Sequence, residues 1–165
     1  MEVSSQKRLS LDTNVLFDLA EGRDYAVDFR ELYQRKNYAL FISPTVAAEV
    51  FFALDHGDDR EKQLASISLS KLSEWDIEVG SLTARQIEIA HVLAAKIRNA
   101  GLLPHAEIND SRVLGETAVL GIPLVVSSNH HLLNIDDATL RTLCIDLALP
   151  PVFTASPRAL VRALR

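Results

Sequence analysis

Apolar residues in this chain alternate between two arrangements. Short consecutive runs of strand length are separated by longer stretches in which apolar positions recur every three to four residues. Arg8 to Leu11 predicts a first short strand, and helical spacing follows from about Val15 to Arg35 with a break near Gly22. Tyr38 to Ser43 (YALFIS) predicts a second strand closed by Pro44. Thr45 then caps a helix that reaches His56 and stops at Gly57. A charged helix from about Asp59 to Glu74 leads to a strand within DIEVGSL. Thr83 caps a helix with apolar positions at Ile87, Ala90, Ala94 and Ile97, ended by Gly101. Pro104 opens the next helix, which ends at Gly121, and the unbroken apolar run IPLVV predicts a strand covered on both faces. A short helix near Ala138 to Leu143, a small strand around Val152 and Phe153, and a helix start at Ser156-Pro157 complete the pattern.

Strands separated by helices throughout predict the α/β class, with right-handed crossovers and a three-layer α/β/α sandwich around a central parallel sheet. Ligands in such folds sit beyond the carboxyl ends of the strands, where strand order reverses. The chain has 165 residues, 48% of them hydrophobic, and no linker or repeat divides it, so one domain over 1–165 is expected. Its 17 basic and 22 acidic residues give a net charge of −5, which argues against broad adhesion to nucleic acid or anionic membrane. A polyanion must therefore meet a local patch. The single cysteine, Cys144, excludes an intramolecular disulfide and any multi-cysteine zinc site, and within the apolar TLCIDLAL it is expected to pack. The N-terminal MEVSSQKRLSLD holds no apolar stretch of signal-peptide length, and nowhere do about 18 uncharged apolar residues run together. A soluble cytoplasmic protein with no membrane partner is expected.

Three acids are candidates for the predicted edge. Asp12 ends the first strand in RLSLDTN, where it also suits a helix cap. Glu49 is the only charged side chain from Thr45 to Leu54 (TVAAEVFFAL). With Ala47, Val50, Phe51 and Leu54 as the apolar stripe, it projects from the opposite side among Val46, Phe52 and Ala53. Burying it alone is costly, so it is paired, faces solvent or binds a cation. Asp110 lies near the start of the helix that feeds IPLVV and runs antiparallel to that strand. From Asp110 to Gly121 is about 16 Å of helix, and Leu124 to Asn129 is about 17 Å of strand, so Asp110 reaches the height of Ser127-Ser128-Asn129. The helix macrodipole alone would also favour Glu107 and Asp110 there. Together the three carry more weight. Crowded carboxylates raise one another's pKa unless a cation neutralises them, and an oxygen-only donor set suits Mg²⁺ or Mn²⁺.

On these residues the chain resembles the PIN domain, a small metal-dependent ribonuclease fold found in the toxins of type II toxin–antitoxin systems and in RNA-processing enzymes. The likeness runs from SLDTNVLFDL through SPTVAAEVFFAL and AEINDSRVLGETAVLGIPLVVSSN to VFTASPRAL. It implies sheet order 3-2-1-4-5 and an RNA phosphodiester hydrolase in which Asp12, Glu49 and Asp110 hold the ion and water attacks phosphorus in line. It also implies substrate or supporting roles for Asn14 and Ser127. Arg112, Lys96 and Arg98 are candidates for a basic rim, although a solvated helix face explains Lys96 and Arg98 as well. His130 and His131, after the fourth strand, are placed in a surface loop within possible reach of substrate phosphate. Where many relatives carry a further Asp, this chain has Asn129, which offers a metal a carbonyl oxygen without charge, so one well-held ion is expected. Asp136 and Asp137 would substitute only if their loop folded back. Toxin-type relatives further imply a homodimer and an antitoxin partner, and the apolar TVAAEVFFALDHG offers surface for either contact or for the core. Two rivals stand beside this reading. A phosphatase with Asp12 as covalent nucleophile would need a second acid where Asn14 stands. A PIN-like module that binds RNA or protein without catalysis would be consistent with Asn129.

Overall fold

The computed structural model describes residues 6–165; Met1 to Ser5, part of the N-terminal stretch MEVSSQKRLSLD considered above, lie outside the described residues. Five strands, β1 (Lys7–Leu11), β2 (Tyr38–Ile42), β3 (Ile77–Val79), β4 (Leu124–Val126) and β5 (Phe153–Ala155), form one all-parallel sheet of order β3-β2-β1-β4-β5. Between β1 and β2 run α1 (Thr13–Glu21) and α2 (Asp24–Arg35); between β2 and β3, α3 (Pro44–His56) and α4 (Asp59–Lys71). α5 (Ala84–Asn99) and α6 (Ile108–Val119) join β3 to β4, α7 (His130–Leu133) and α8 (Asp137–Asp146) join β4 to β5, and α9 (Pro157–Ala163) follows. This is the α/β sandwich expected from the alternation of strands and helices, with the strand order that the PIN resemblance implied.

The strands end level with one another. Leu11 pairs with Val126, Val126 with Ala155, and Ile42 with Val79, so the carboxyl ends form one edge. The ladder extends one residue further, with Asp12 N donating to Val126 O at 2.9 Å and Ser127 N to Ala155 O at 3.0 Å. β1 is the point where strand order reverses, so Asp12 leaves the sheet at the crevice that parallel α/β topology creates. Val125 and Val126 are fully buried, as the unbroken apolar run required, and Leu11, Leu40, Phe29, Leu93 and Leu114 fill the layers on either side.

Several boundaries differ from the sequence reading for identifiable reasons. α3 is capped by Ser43, whose hydroxyl accepts from Val46 N, with Pro44 in the first turn; Thr45 is already helical. α6 starts at Ile108 rather than Pro104, because Pro104 carries a turn closed by Glu107 N donating to its carbonyl at 2.9 Å. His130 and His131 stand on the short helix α7, where a loop was expected. The predicted apolar stripe of α3 is also rotated: Val46 and Val50 are buried, whereas Phe51 is 56% exposed. Gly22 takes the left-handed conformation (φ 72°) that ends α1, which explains the predicted break. Cys144 is fully buried in α8, and burial pushes its thiol pKa up, in keeping with a packing role.

Candidate active site

Asp12 combines the two readings the sequence offered. Its Oδ1 accepts from Thr13 N at 2.9 Å and so caps α1. Its Oδ2 faces the adjoining strand end, accepting from Ser127 Oγ at 2.7 Å and Asn14 Nδ2 at 3.0 Å. Asn14 in turn accepts from Ser128 N through Oδ1 at 3.0 Å and donates to Ser127 Oγ at 3.3 Å. The β1 and β4 ends are thereby laced around a carboxylate only 4% exposed. Burial raises the Asp12 pKa, opposed by the hydrogen bonds from Ser127, Thr13 and Asn14.

Glu49 reaches the same place from α3. Val46 and Val50 press α3 onto the core, and Glu49, at the flank of that stripe, accepts from Thr13 Oγ1 at 3.1 Å. The Asn109 side chain lies near it and favours its charged form. Its carboxyl pKa is pushed up to about 7, first by burial and then by the charge of Asp12. Asp110 comes from the first turn of α6, and its Oδ2 accepts from Asn129 Nδ2 at 2.8 Å, as the height arithmetic required. Its pKa is likewise pushed up to about 7 by burial, then by the charges of Asp12, Glu107 and Glu49.

Three acids from three separate elements therefore sense one another's charge. Among the described residues no Arg or Lys makes an ion pair with any of them. Nor, among the described residues, do any three His, Cys, Asp or Glu side chains stand close enough together to hold a metal ion as they are placed. The donor set nonetheless fits a hard divalent ion. It consists of carboxyl oxygens with which no Arg or Lys among the described residues pairs, and an ion such as Mg²⁺ completes a sparse protein shell with water.

The remaining candidates are distributed as follows. The Asn129 carbonyl, which the sequence reading offered to a metal, accepts from His131 N at 3.0 Å and caps α7, leaving the amide NH₂ to orient Asp110. Ser127 and Asn14 hold Asp12. Arg112 is exposed on α6 and lines a cavity with Glu49. Arg98 is tied to Ser111 Oγ at 2.5 Å, and Lys96 is exposed on the last turn of α5. Asp136 does not fold back, since it caps α8 by accepting from Thr139 N at 2.9 Å. Three participants escaped the sequence reading as site residues: Thr13, which donates to Glu49, Asn109, which lies near Glu49 and favours its charged form, and Glu107, whose charge raises the Asp110 pKa and which lies 3.8 Å from His131 Nε2. The polar triplet Glu107, Asn109 and Asp110 within one helical turn was the available signal. Buried Glu116 accepts from Thr45 N and Oγ1, both at 2.7 Å, and ties α3 to α6.

The comparisons with known proteins agree with this architecture. VapBC2 from Rickettsia felis, solved bound to a DNA fragment from its promoter, is similar with a TM-score of 0.63 at 18% identity, over 90% of this chain and 98% of that one. VapBC-1 from nontypeable Haemophilus influenzae is similar with a TM-score of 0.57 at 16% identity, over 91% of this chain and 98% of that one. No curated protein is detectably similar in sequence. Among the described residues no helix is long and apolar enough to cross a membrane. A family model for the PIN domain matches residues 9–150, a span that includes all three edge acids, and the chain belongs to the PIN domain family.

Proposed function

We propose that the chain is a Mg²⁺- or Mn²⁺-dependent endoribonuclease that hydrolyses RNA phosphodiester bonds. The observation that carries this reading is the convergence of Asp12, Glu49 and Asp110 at the switch-point edge, with all three carboxyl pKa values raised by burial, those of Glu49 and Asp110 also by neighbouring carboxylate charge, and no Arg or Lys among the described residues paired with them. These three acids would hold the ion. When bound, a divalent ion there supplies Lewis acidity to the phosphate and lowers the pKa of an attacking water. The chain's own residues fix the geometry: Ser127 and Asn14 orient Asp12, Thr13 orients Glu49, and Asn129 orients Asp110. Such supporting bonds lock the ligand carboxylates in place and tune their basicity. Near neutral pH without an ion, Glu49 and Asp110 carry protons on their carboxyl oxygens part of the time.

The same reading makes the chain the toxin of a toxin–antitoxin pair, acting in the cytoplasm as one domain over 1–165 and as a homodimer held in check by an antitoxin protein. The likeness to VapBC structures over nine-tenths of the chain supports the antitoxin, and Phe51, 56% exposed on α3, offers apolar surface to a protein partner. Mn²⁺ titration with labelled single-stranded RNA tests the activity. Cleavage is expected with Mn²⁺ or Mg²⁺ and lost in Asp12→Asn and Asp110→Asn. Cleavage surviving both substitutions would overturn the site. Tight RNA binding without metal-dependent cleavage would favour the binding module, the reading that the uncharged Asn129 beside Asp110 supports.

A further inference from the structure

Next to Glu49, between α3 and α6, opens a cavity of about 350 Å³ lined by Thr45, Ala48, Glu49, Phe52, Asn109 and Arg112. Phe52 is 64% exposed, the most exposed large apolar side chain among the described residues. Its ring stacks on that of His56 one turn later, with centroids 4.6 Å apart and planes within 17°. His56 thus covers one face of the ring, and Phe52 also lines the cavity. Opposite, on α6, stand the Asn109 amide and the Arg112 guanidinium, the latter with no ion-pair partner among the described residues.

We infer that this cavity is a nucleobase subsite, in which one unpaired base of the RNA stacks on Phe52 while Arg112 contacts the adjoining phosphate. The inference rests on the ribonuclease reading, because the cavity shares Glu49 with the edge acids and a phosphate engaged there carries a base on a short sugar tether. Aromatic side chains bind bases by stacking, which only an unpaired base permits, and the aromatic face accepts any base. The cavity volume lies at the lower end of small-molecule sites, about 300–1,000 Å³, as one base requires. Charge complementarity favours RNA over an apolar partner surface: the Arg112 guanidinium, without an ion-pair partner among the described residues, suits a phosphate, whereas a docked hydrophobic helix would bury that charge unpaired.

The test uses the full chain in EDTA, so that binding is read without turnover, and a short single-stranded RNA carrying 2-aminopurine at successive positions. One position is expected to show quenching on binding. Phe52→Ala should remove that quench and weaken binding about tenfold to a hundredfold, while Phe52→Trp retains both. An abasic residue at that position should weaken the wild type by the same factor and leave Phe52→Ala unchanged, a pattern that a general structural defect cannot produce. Arg112→Ala should weaken binding without altering the quench of bound RNA. Equal abasic penalties in wild type and Phe52→Ala would overturn the subsite. So would conversion of a dimer to monomers by Phe52→Ala with unchanged binding per subunit, which would make the face a contact between copies. If Mn²⁺-dependent cleavage is lost in Asp12→Asn but the Phe52 pattern is absent, the subsite falls and the nuclease stands. If the pattern holds and no cleavage occurs, the nuclease reading falls and the subsite stands.

Discussion

Glu49 and Asp110 each stand at about 7 in the folded chain, against ordinary values of 4.5 and 3.8. Between about pH 4 and pH 7 the folded state therefore holds more protons on these groups than the unfolded state. Stability should fall as pH rises through that window and level off above it. A divalent ion binds the deprotonated carboxylates, so its affinity and its stabilising effect should grow over the same range. Thermal unfolding in EDTA is expected to show a decline in Tm from pH 5 to 7.5, with Mn²⁺ restoring Tm most at the upper end. Glu49→Gln should flatten the decline, raise metal-free Tm at pH 8 and weaken the Mn²⁺ response; an unchanged pH profile in that variant would contradict the mutual repulsion of these acids. Asp12 and Asp110 were legible because one ends a predicted strand and the other lies near a predicted helix start, and Glu49 because it is the only charged side chain from Thr45 to Leu54. Their supports were not. Thr13 and Asn129 act across elements, through side-chain directions that spacing along one helix does not encode. Glu49 itself was assigned to the side of α3 opposite an apolar stripe, whereas it flanks the true stripe of Val46 and Val50, because two phenylalanines are placed outward against the usual preference for burial.

At the scale of elements, the placement of Asp110 depends on how closely α6 lies against α5. Gly115 sits at the contact: a Cβ there would lie 2.3 Å from the Ala90 carbonyl oxygen, a backbone atom that cannot turn away. Gly115→Ala must push the helices apart, at a cost of about 1–3 kcal/mol of overpacking. For a chain of this size each kcal/mol shifts Tm by about 2–4 °C. The displacement also moves the first turn of α6, so Mn²⁺ affinity should fall along with Tm. A Gly115→Ala protein with wild-type Tm would show that the two helices separate freely. Element types were readable from periodicity, but α3 and α6 show why starts were less so. Thr45 carries a good capping side chain, yet its hydroxyl and N–H are both used by Glu116, which lies 71 residues away in sequence. Pro104 is favoured at a helix start, and here it serves a turn that precedes one. In both places a tertiary contact or a local turn competes for the residue that signals the boundary.

Over the whole molecule, a net charge of −5 means that RNA must be held by local cations against a repulsive average. Between α2 and α9 lies a cavity of about 620 Å³ whose lining includes Arg23, Arg158, Arg162 and Arg165. Two of these have acidic neighbours, Arg23 with Glu21 at 2.8 Å and Arg165 with Asp28 at 3.4 Å. Arg158 instead lies 4.4 Å over the ring of Tyr25, and Arg162 has no ion-pair partner among the described residues. α9 begins directly after the carboxyl end of β5, and β5 is two strands from β1, about 10 Å at the usual strand spacing. Arg158 is thus set on the same edge as Asp12, within the span of a few nucleotides. If an RNA strand crosses the acids and continues over β5, its phosphates meet these two guanidiniums. Each phosphate neutralised on a single strand adds about −0.7 to the slope of log K against log salt concentration. Replacing Arg158 and Arg162 together by Ala should make that slope shallower by about 1.4, and should weaken binding more at low salt than at high salt. The Phe52-dependent quench of the bound base should persist, because stacking does not depend on ions. An unaltered salt slope in the double variant would place the RNA path on the other side of the acids, over β2 and β3.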